Sequence, residues 1–130
     1  MTEDPAAVAA LIVFGVIHVI LTGLQSALAA GAPLGRFAWG GRYRVLPTRL
    51  RAASLVTIAL YLLFILVALE RAGASALLPG AVAQVGIWVL GAYYVLGIFM
   101  NSISSSRAER FTMAPTCLLL AVSSVILAAS

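Results

Sequence analysis

The first long apolar stretch of the chain carries three polar side chains that fall on one face of a helix. His18, Thr22 and Gln25 lie four and then three residues apart, and residues with this spacing are neighbours on a helix surface. His18 is the only histidine of the chain, and an imidazole normally changes its charge near physiological pH. It is therefore the candidate for proton transfer, while hydrogen bonding between packed helices is the alternative role for all three residues.

A second polar stripe occurs in the third apolar stretch, where Tyr93 and Asn101 share a helix face with Gly86 and Gly97. Glycines allow helices to approach closely, and tyrosine and asparagine hydrogen-bond between them. We expect a ligand-binding site in the interior of the protein, open toward the cytoplasmic loops and formed by His18, Thr22, Gln25, Tyr93 and Asn101. Further polar side chains of the apolar stretches are Thr57, Tyr61, Thr116, Cys117, Ser123 and Ser124.

The same inventory excludes several kinds of chemistry. One cysteine cannot form an intramolecular disulfide, and one histidine cannot supply both axial ligands of a haem within one chain. The apolar stretches contain no aspartate or glutamate for proton-coupled antiport. The chain shows neither a cluster of metal ligands nor a glycine-rich phosphate loop. We expect neither a cofactor nor a metal, and whether the protein is an enzyme stays open.

The elements that position these residues follow from composition. Of 130 residues, 63% are hydrophobic and 9% are charged, whereas a soluble domain has about 45–50% apolar and about 25% charged residues. A helix of roughly 20 apolar residues crosses a bilayer. Four stretches qualify, so we predict an all-α, antiparallel four-helix transmembrane bundle forming one domain over residues 1–130, with helices at about residues 6–30, 52–69, 81–102 and 113–129.

Arginines are distributed unequally between the connections. The first and third connections hold seven of the eight arginines, and the second holds the remaining one, Arg71. Short loops rich in Lys or Arg stay in the cytoplasm. The acidic start MTEDP and the length of the first stretch favour a membrane helix over a cleaved signal peptide. We expect a bacterial cytoplasmic membrane protein with both termini outside.

The first connection is longer than a helical bundle needs, and its arginines alternate with aromatic residues. Aromatic rings and guanidinium groups together suit the headgroup layer of a membrane. We therefore expect lipid headgroups to be bound here, and no nucleic acid, because the segment lies flush with the membrane. The residues concerned are Arg36, Trp39, Arg42, Arg44, Arg49 and Arg51.

The third connection allows two helix starts. Ser106 and Glu109 have the S-x-x-E spacing of a capping box, which predicts a helix from Arg107 with Pro115 inside it. Alternatively, a short turn precedes a new helix that has Pro115 in its first turn. In either case we expect Glu109 to form an ion pair with an arginine of the first connection.

With VIHVI in the first stretch, WGGRYRVLP before the second and ERFTMAPTCLLLA entering the fourth, the chain resembles small four-helix bacterial integral membrane proteins of unknown function. The resemblance covers nearly the whole chain, and it implies the fold but no activity.

Three functions remain open at this stage. The first is a binding, transport-related or accessory membrane protein with its site around His18. The second is an intramembrane enzyme that acts on a lipid-like or quinone-like substrate and uses His18 as general acid or base. The third is a structural protein that forms a homodimer or binds a partner membrane protein through Gly23, Ala27 and Gly31, which have small-xxx-small spacing.

Overall fold

The computed structural model describes residues 3–130 of the protein. Within this range the regular secondary structure is entirely helical, with four long helices: α1 (Pro5–Ala29), α2 (Thr48–Arg71), α3 (Gly80–Ser102) and α4 (Arg107–Ala129). Each is long and apolar enough to cross a membrane. The all-α class, the four helices and a multi-pass membrane protein are therefore confirmed. The antiparallel arrangement stays a prediction.

The helix ends follow from local sequence. Asp4 caps α1 by accepting a hydrogen bond from the backbone N–H of Ala6 at 3.0 Å, and Pro5 occupies the first helical position. At α4 the capping-box alternative is the one found, since the Ser106 hydroxyl accepts from the N–H of Glu109 at 3.3 Å. Helix α4 thus begins before its apolar stretch and contains Pro115 in its interior.

The helices pack in a ring. Helix α1 contacts α2 and α4, α3 also contacts α2 and α4, and the α3–α4 contact is the most extensive. Helices α1 and α3 therefore lie diagonally across the bundle. The fully buried side chains Phe14, Ile87, Leu120 and Leu127 fill its centre. Many large apolar side chains are exposed on all four helices, as expected where helices face lipid hydrocarbon.

The first connection folds onto the start of α4. It contains two 3₁₀ turns, Gly35–Phe37 and Trp39–Gly41. The N–H of Gly40 donates to both carboxylate oxygens of Glu109, at 3.3 and 3.4 Å, and the Ser106 hydroxyl donates to the carbonyl of Arg36. The first and third connections therefore meet at the same end of the bundle.

These contacts correct one expectation. Glu109 is buried, and in the described part of the chain its carboxylate bonds to the backbone of Gly40 rather than to an arginine. The physical reason is geometric. Both the Glu109 side chain and the Gly40 N–H point into the junction between the loop and α4, whereas the side chains of Arg36, Arg42 and Arg44 are exposed on the outside of the loop.

Candidate functional site

His18 lies at the centre of the bundle and has no solvent-exposed surface. Its Nδ1 lies 2.7 Å from the carbonyl oxygen of Phe14, and its Nε2 lies 2.5 Å from the hydroxyl oxygen of Tyr94. A carbonyl can only accept, so Nδ1 carries a proton and donates it. The apolar surroundings favour the neutral ring, in which Nε2 then accepts a hydrogen bond from the Tyr94 hydroxyl. We infer this tautomer from the hydrogen-bond partners.

The hydrogen bond from Tyr94 to His18 crosses the bundle. His18 belongs to α1 and Tyr94 to α3, the helix diagonally opposite. Adjacent rings pack around it: the centroid of His18 lies 4.2 Å from that of Phe14, 5.3 Å from that of Tyr61 and 5.7 Å from that of Tyr94. The contacts of His18 with Tyr61 and Tyr94 are edge-to-face, at interplanar angles of 82° and 68°, whereas Phe14 is tilted by 33°. Edge-to-face contacts add to the packing energy of aromatic side chains. We call the following set the aromatic cluster: Phe14, His18, Tyr61, Phe64, Tyr93 and Tyr94.

Thr22 and Gln25, which share the His18 face of α1, have different environments. The side chain of Gln25 lies near the hydroxyl of Tyr61 on α2. The hydroxyl oxygen of Thr22 is buried and has no hydrogen-bond partner within residues 3–130. Such an unsatisfied group is uncommon, because burying a polar group without a partner is costly.

A cavity of about 290 Å³ lies beside the aromatic cluster. Most of its wall is apolar, and side chains of all four helices contribute to it. Its wall residues Tyr93, Leu96 and Met100 are each more than half exposed on the outside of α3, at 52%, 59% and 59%, so the cavity opens toward the lipid. We call it the tyrosine cavity; its polar wall residues are Tyr61, Tyr93, Tyr94, Asn101, Thr116 and Cys117.

At one side of the tyrosine cavity, Asn101 and Cys117 link α3 to α4. The amide nitrogen of Asn101 donates to the carbonyl of Gly97 at 2.8 Å and lies 3.5 Å from the sulfur of Cys117. The absence of a side chain at Gly97 permits this approach, because a Cβ at that position would lie 2.8 Å from the same sulfur. Close helix packing thus places the only cysteine of the chain in the cavity wall.

The five residues expected to form the ligand-binding site divide into two groups. Tyr93 and Asn101 line the tyrosine cavity, whereas His18, Thr22 and Gln25 do not. His18 nevertheless bonds to the wall residue Tyr94, and the Gln25 side chain lies near the wall residue Tyr61.

Sequence reasoning missed Tyr94, which is the hydrogen-bonding partner of His18. It also omitted Phe14, Tyr61, Phe64 and Cys117 from the site. Phe14 carried a usable signal, because it lies four residues before His18 and therefore on the same helix face.

The seven arginines at the loop end of the bundle fall into two classes. Three have guanidinium groups that bond to the protein: Arg49 donates to the Tyr43 hydroxyl at 3.2 Å, Arg51 to the Ala29 carbonyl at 2.8 Å and Arg110 to the Ser104 carbonyl at 3.3 Å. The other guanidinium groups make no hydrogen bond or ion pair within residues 3–130 and are exposed; they belong to Arg36, Arg42, Arg44 and Arg107. Trp39, also exposed, lies among them.

Within residues 3–130, no cluster of three or more His, Cys, Asp or Glu side chains has the arrangement of a metal site. A comparison of the chain with known protein families, curated proteins and solved structures finds no match.

Proposed function

We propose that the protein binds a lipid-soluble small molecule in the tyrosine cavity, which the ligand enters from the hydrocarbon of the membrane. The observation that supports this most directly is the lateral opening beside Tyr93, Leu96 and Met100. Small-molecule sites are mostly apolar pockets with a few polar groups that orient the ligand. The cavity volume of about 290 Å³ is just below the range of roughly 300–1,000 Å³ for drug-sized ligands, so it suits a small ligand or the head of a longer one.

The polar groups of the wall define the ligand class. Phenol, amide and thiol groups hydrogen-bond, and the wall offers no charged side chain within residues 3–130. A neutral ring or carbonyl head on an apolar chain matches this wall, as in a quinone-like or lipid-like molecule. His18 holds the Tyr94 hydroxyl from behind, which preorganises this part of the wall. Whether binding serves transport or an accessory role depends on a partner or a second state of the protein.

The only native cysteine provides the test of this proposal. A short-chain quinone or a long-chain alcohol should slow the modification of Cys117 by a neutral, membrane-permeant maleimide, because the sulfur forms part of the cavity wall. An alkane of the same length should protect less, since it leaves the polar wall unpaired. Labelling is followed by intact-protein mass spectrometry.

A matched control separates the cavity from the bilayer. In a Cys117→Ser background, Leu118→Cys places the thiol on the exposed face of the same helix, where Leu118 is 51% exposed. Its labelling should not respond to the ligands. Equal rates at Cys117 with and without every ligand would contradict the proposal.

An intramembrane enzyme is the second candidate function. It is favoured by the hydrogen bond between Tyr94, which lines the cavity, and His18 behind it. In this version His18 acts as general acid or base through the Tyr94 hydroxyl. The variants of His18 argued in the Discussion separate the two functions.

A structural protein is the third candidate. A Cβ added at Gly23 would meet nothing within 4 Å, so the α1 face that carries Gly23 and Ala27 is open at Gly23 to a second copy or to a partner membrane protein. Gly31 does not extend this face, because it lies beyond the end of α1 with a φ of 91° and a Cβ there would lie 3.5 Å from the Arg51 guanidinium. Gly23→Leu should then convert a detergent-solubilised oligomer to a monomer in light scattering, while a wild-type monomer would remove this candidate.

We propose that the arginine-rich end faces the cytoplasm of a bacterium and that both termini lie outside. In a Cys117→Ser background, Ser105→Cys in the third connection should react with an impermeant maleimide only after the membrane is opened, and Ala76→Cys in the second connection should react in intact cells. Both positions are exposed. The positive-inside bias gives this order, and the reverse order would contradict it.

We also propose that the first connection contacts lipid headgroups. The exposed side chains Arg36, Trp39, Arg42 and Arg44 support this assignment. Arg49 and Arg51 share the layer, and their guanidinium groups also bond to Tyr43 and to the last turn of α1.

A further inference from the structure

A second cavity lies between α1 and α4, directly beside the first connection, and shares the wall residues Leu21, Met113 and Thr116 with the tyrosine cavity. Its volume is about 260 Å³, and we call it the α1–α4 groove. Helix α1 provides Ile17, Ile20, Leu21 and Leu24, α4 provides Thr112, Met113 and Thr116, and the loop provides Phe37. The groove is almost entirely apolar, so its occupant is a hydrocarbon segment.

The loop end of this groove is positively charged. Phe37 lines the groove, and the guanidinium carbon of its neighbour Arg36 lies 4.8 Å from the centroid of the Phe37 ring. The Arg36 guanidinium makes no hydrogen bond or ion pair within residues 3–130. Glu109, the only acidic residue of the first and third connections, is buried and accepts from Gly40. An anionic group at this place therefore meets an available cation without a competing carboxylate.

We propose that the α1–α4 groove binds one acyl chain of an anionic phospholipid and that Arg36 binds the phosphate of the same molecule. The apolar groove and the Arg36 guanidinium lie next to each other in the order that the acyl chain and phosphate of a phospholipid require. Guanidinium groups pair with phosphate oxygens through parallel hydrogen bonds. This site deepens the proposed headgroup contact of the first connection and rests on it, and it does not require a ligand in the adjoining tyrosine cavity.

The test places a fluorescent reporter in the groove. Phe37→Trp is combined with Trp39→Phe and Trp88→Phe, so that the only indole lies in the groove wall. The protein is reconstituted in phosphatidylcholine vesicles that contain a minor fraction of phosphatidylglycerol or phosphatidylcholine with brominated acyl chains, which quench indole fluorescence on contact. We expect brominated phosphatidylglycerol to quench at about fivefold lower mole fraction, equivalent to about 1 kcal/mol.

Two matched variants test which arginine is responsible for the preference for phosphatidylglycerol. Arg36→Gln should abolish the preference for phosphatidylglycerol, while Arg44→Gln, which removes another exposed guanidinium without a hydrogen bond from the same loop, should retain it. Thermal unfolding checks that each protein is folded.

The remaining outcomes are distinct. An equal loss in both variants would overturn the groove site and leave general headgroup contact by the loop intact. Equal quenching by both lipids before any substitution of Arg36 would show that the groove takes acyl chains without regard to headgroup charge, which would overturn the anionic site and leave headgroup contact by the loop intact. No quenching by either lipid would show that the groove holds no acyl chain and would overturn the site alone.

Discussion

Replacing Tyr94 with Phe should lower the free energy of unfolding by about 1–3 kcal/mol, because it leaves the Nε2 of His18 buried without a partner. The ring of Tyr94 stays, so packing in the aromatic cluster changes little. The measurement is SDS-induced or thermal unfolding in detergent. Tyr93→Phe is the matched control, since Tyr93 is the adjacent aromatic residue, is 52% exposed and makes no hydrogen bond to His18.

A double-mutant cycle isolates the hydrogen bond itself. His18→Leu and Tyr94→Phe should together destabilise the protein less than the sum of the single changes, because the double variant leaves no unpaired group at the bond. Hydrogen bonds between membrane helices average about 0.6 kcal/mol and reach about 1.7 kcal/mol, and we expect a coupling energy near the upper value because the bond is fully buried. The pair of His18 and Tyr93 should show no coupling. Additive effects of His18 and Tyr94 would contradict the bond.

Measurements of ligand binding and activity in His18 variants distinguish a packing role of His18 from a role in proton transfer. His18→Gln and His18→Asn retain a hydrogen-bonding side chain, so ligand protection of Cys117 should survive in both. An enzyme that uses His18 as general acid or base would instead stay folded and lose activity, together with its pH dependence, because an amide cannot titrate. We expect the first result, since both ring nitrogens are engaged by Phe14 and Tyr94.

The helices could be predicted from the sequence because the membrane imposes a length and a composition on each one. The capping residues Asp4 and Ser106 act within one turn of the chain, so they too could be predicted from local sequence. The partner of His18 could not. Consecutive residues of a helix point about 100° apart, and whether Tyr93 or Tyr94 faces inward depends on the rotation of α3, which its packing against α2 and α4 determines.

The fold of the first connection also could not be predicted from the sequence. Its charge and aromatic content indicate the membrane surface, but they carry no information about which backbone groups meet α4. Trp39 adopts a φ of 53° beside Gly40 and Gly41, with φ of 69° and 71°, a left-handed run that is not expected at a tryptophan. The N–H of Gly40 is thereby directed at Glu109, and the carboxylate bonds to backbone rather than to the nearby arginines.

Gly35→Ala should disrupt the first connection, because an added Cβ would lie 1.6 Å from the carbonyl oxygen of Tyr43. Backbone atoms at this distance must move. The N–H of Gly35 would also lose its bond to the carbonyl of Arg44, now 2.9 Å long. With the loop displaced, the bonds from Gly40 to Glu109 and from Ser106 to Arg36 should break as well. A hydrogen bond to a charged group contributes about 1.5–3 kcal/mol.

Limited trypsin digestion measures this effect, since the loop contains the cleavable residues Arg42 and Arg44. Cleavage requires local opening, and a destabilisation of about 1.4 kcal/mol or more should raise its rate about tenfold or more. Gly80→Ala is the control, because a Cβ at Gly80 meets nothing within 4 Å. The unfolding of the four helices should change little, because the hydrogen bonds that break belong to the loop and its junction with α4. Unchanged cleavage would show that the loop tolerates a side chain at Gly35, and equal destabilisation of loop and helices would show that the two unfold as one unit.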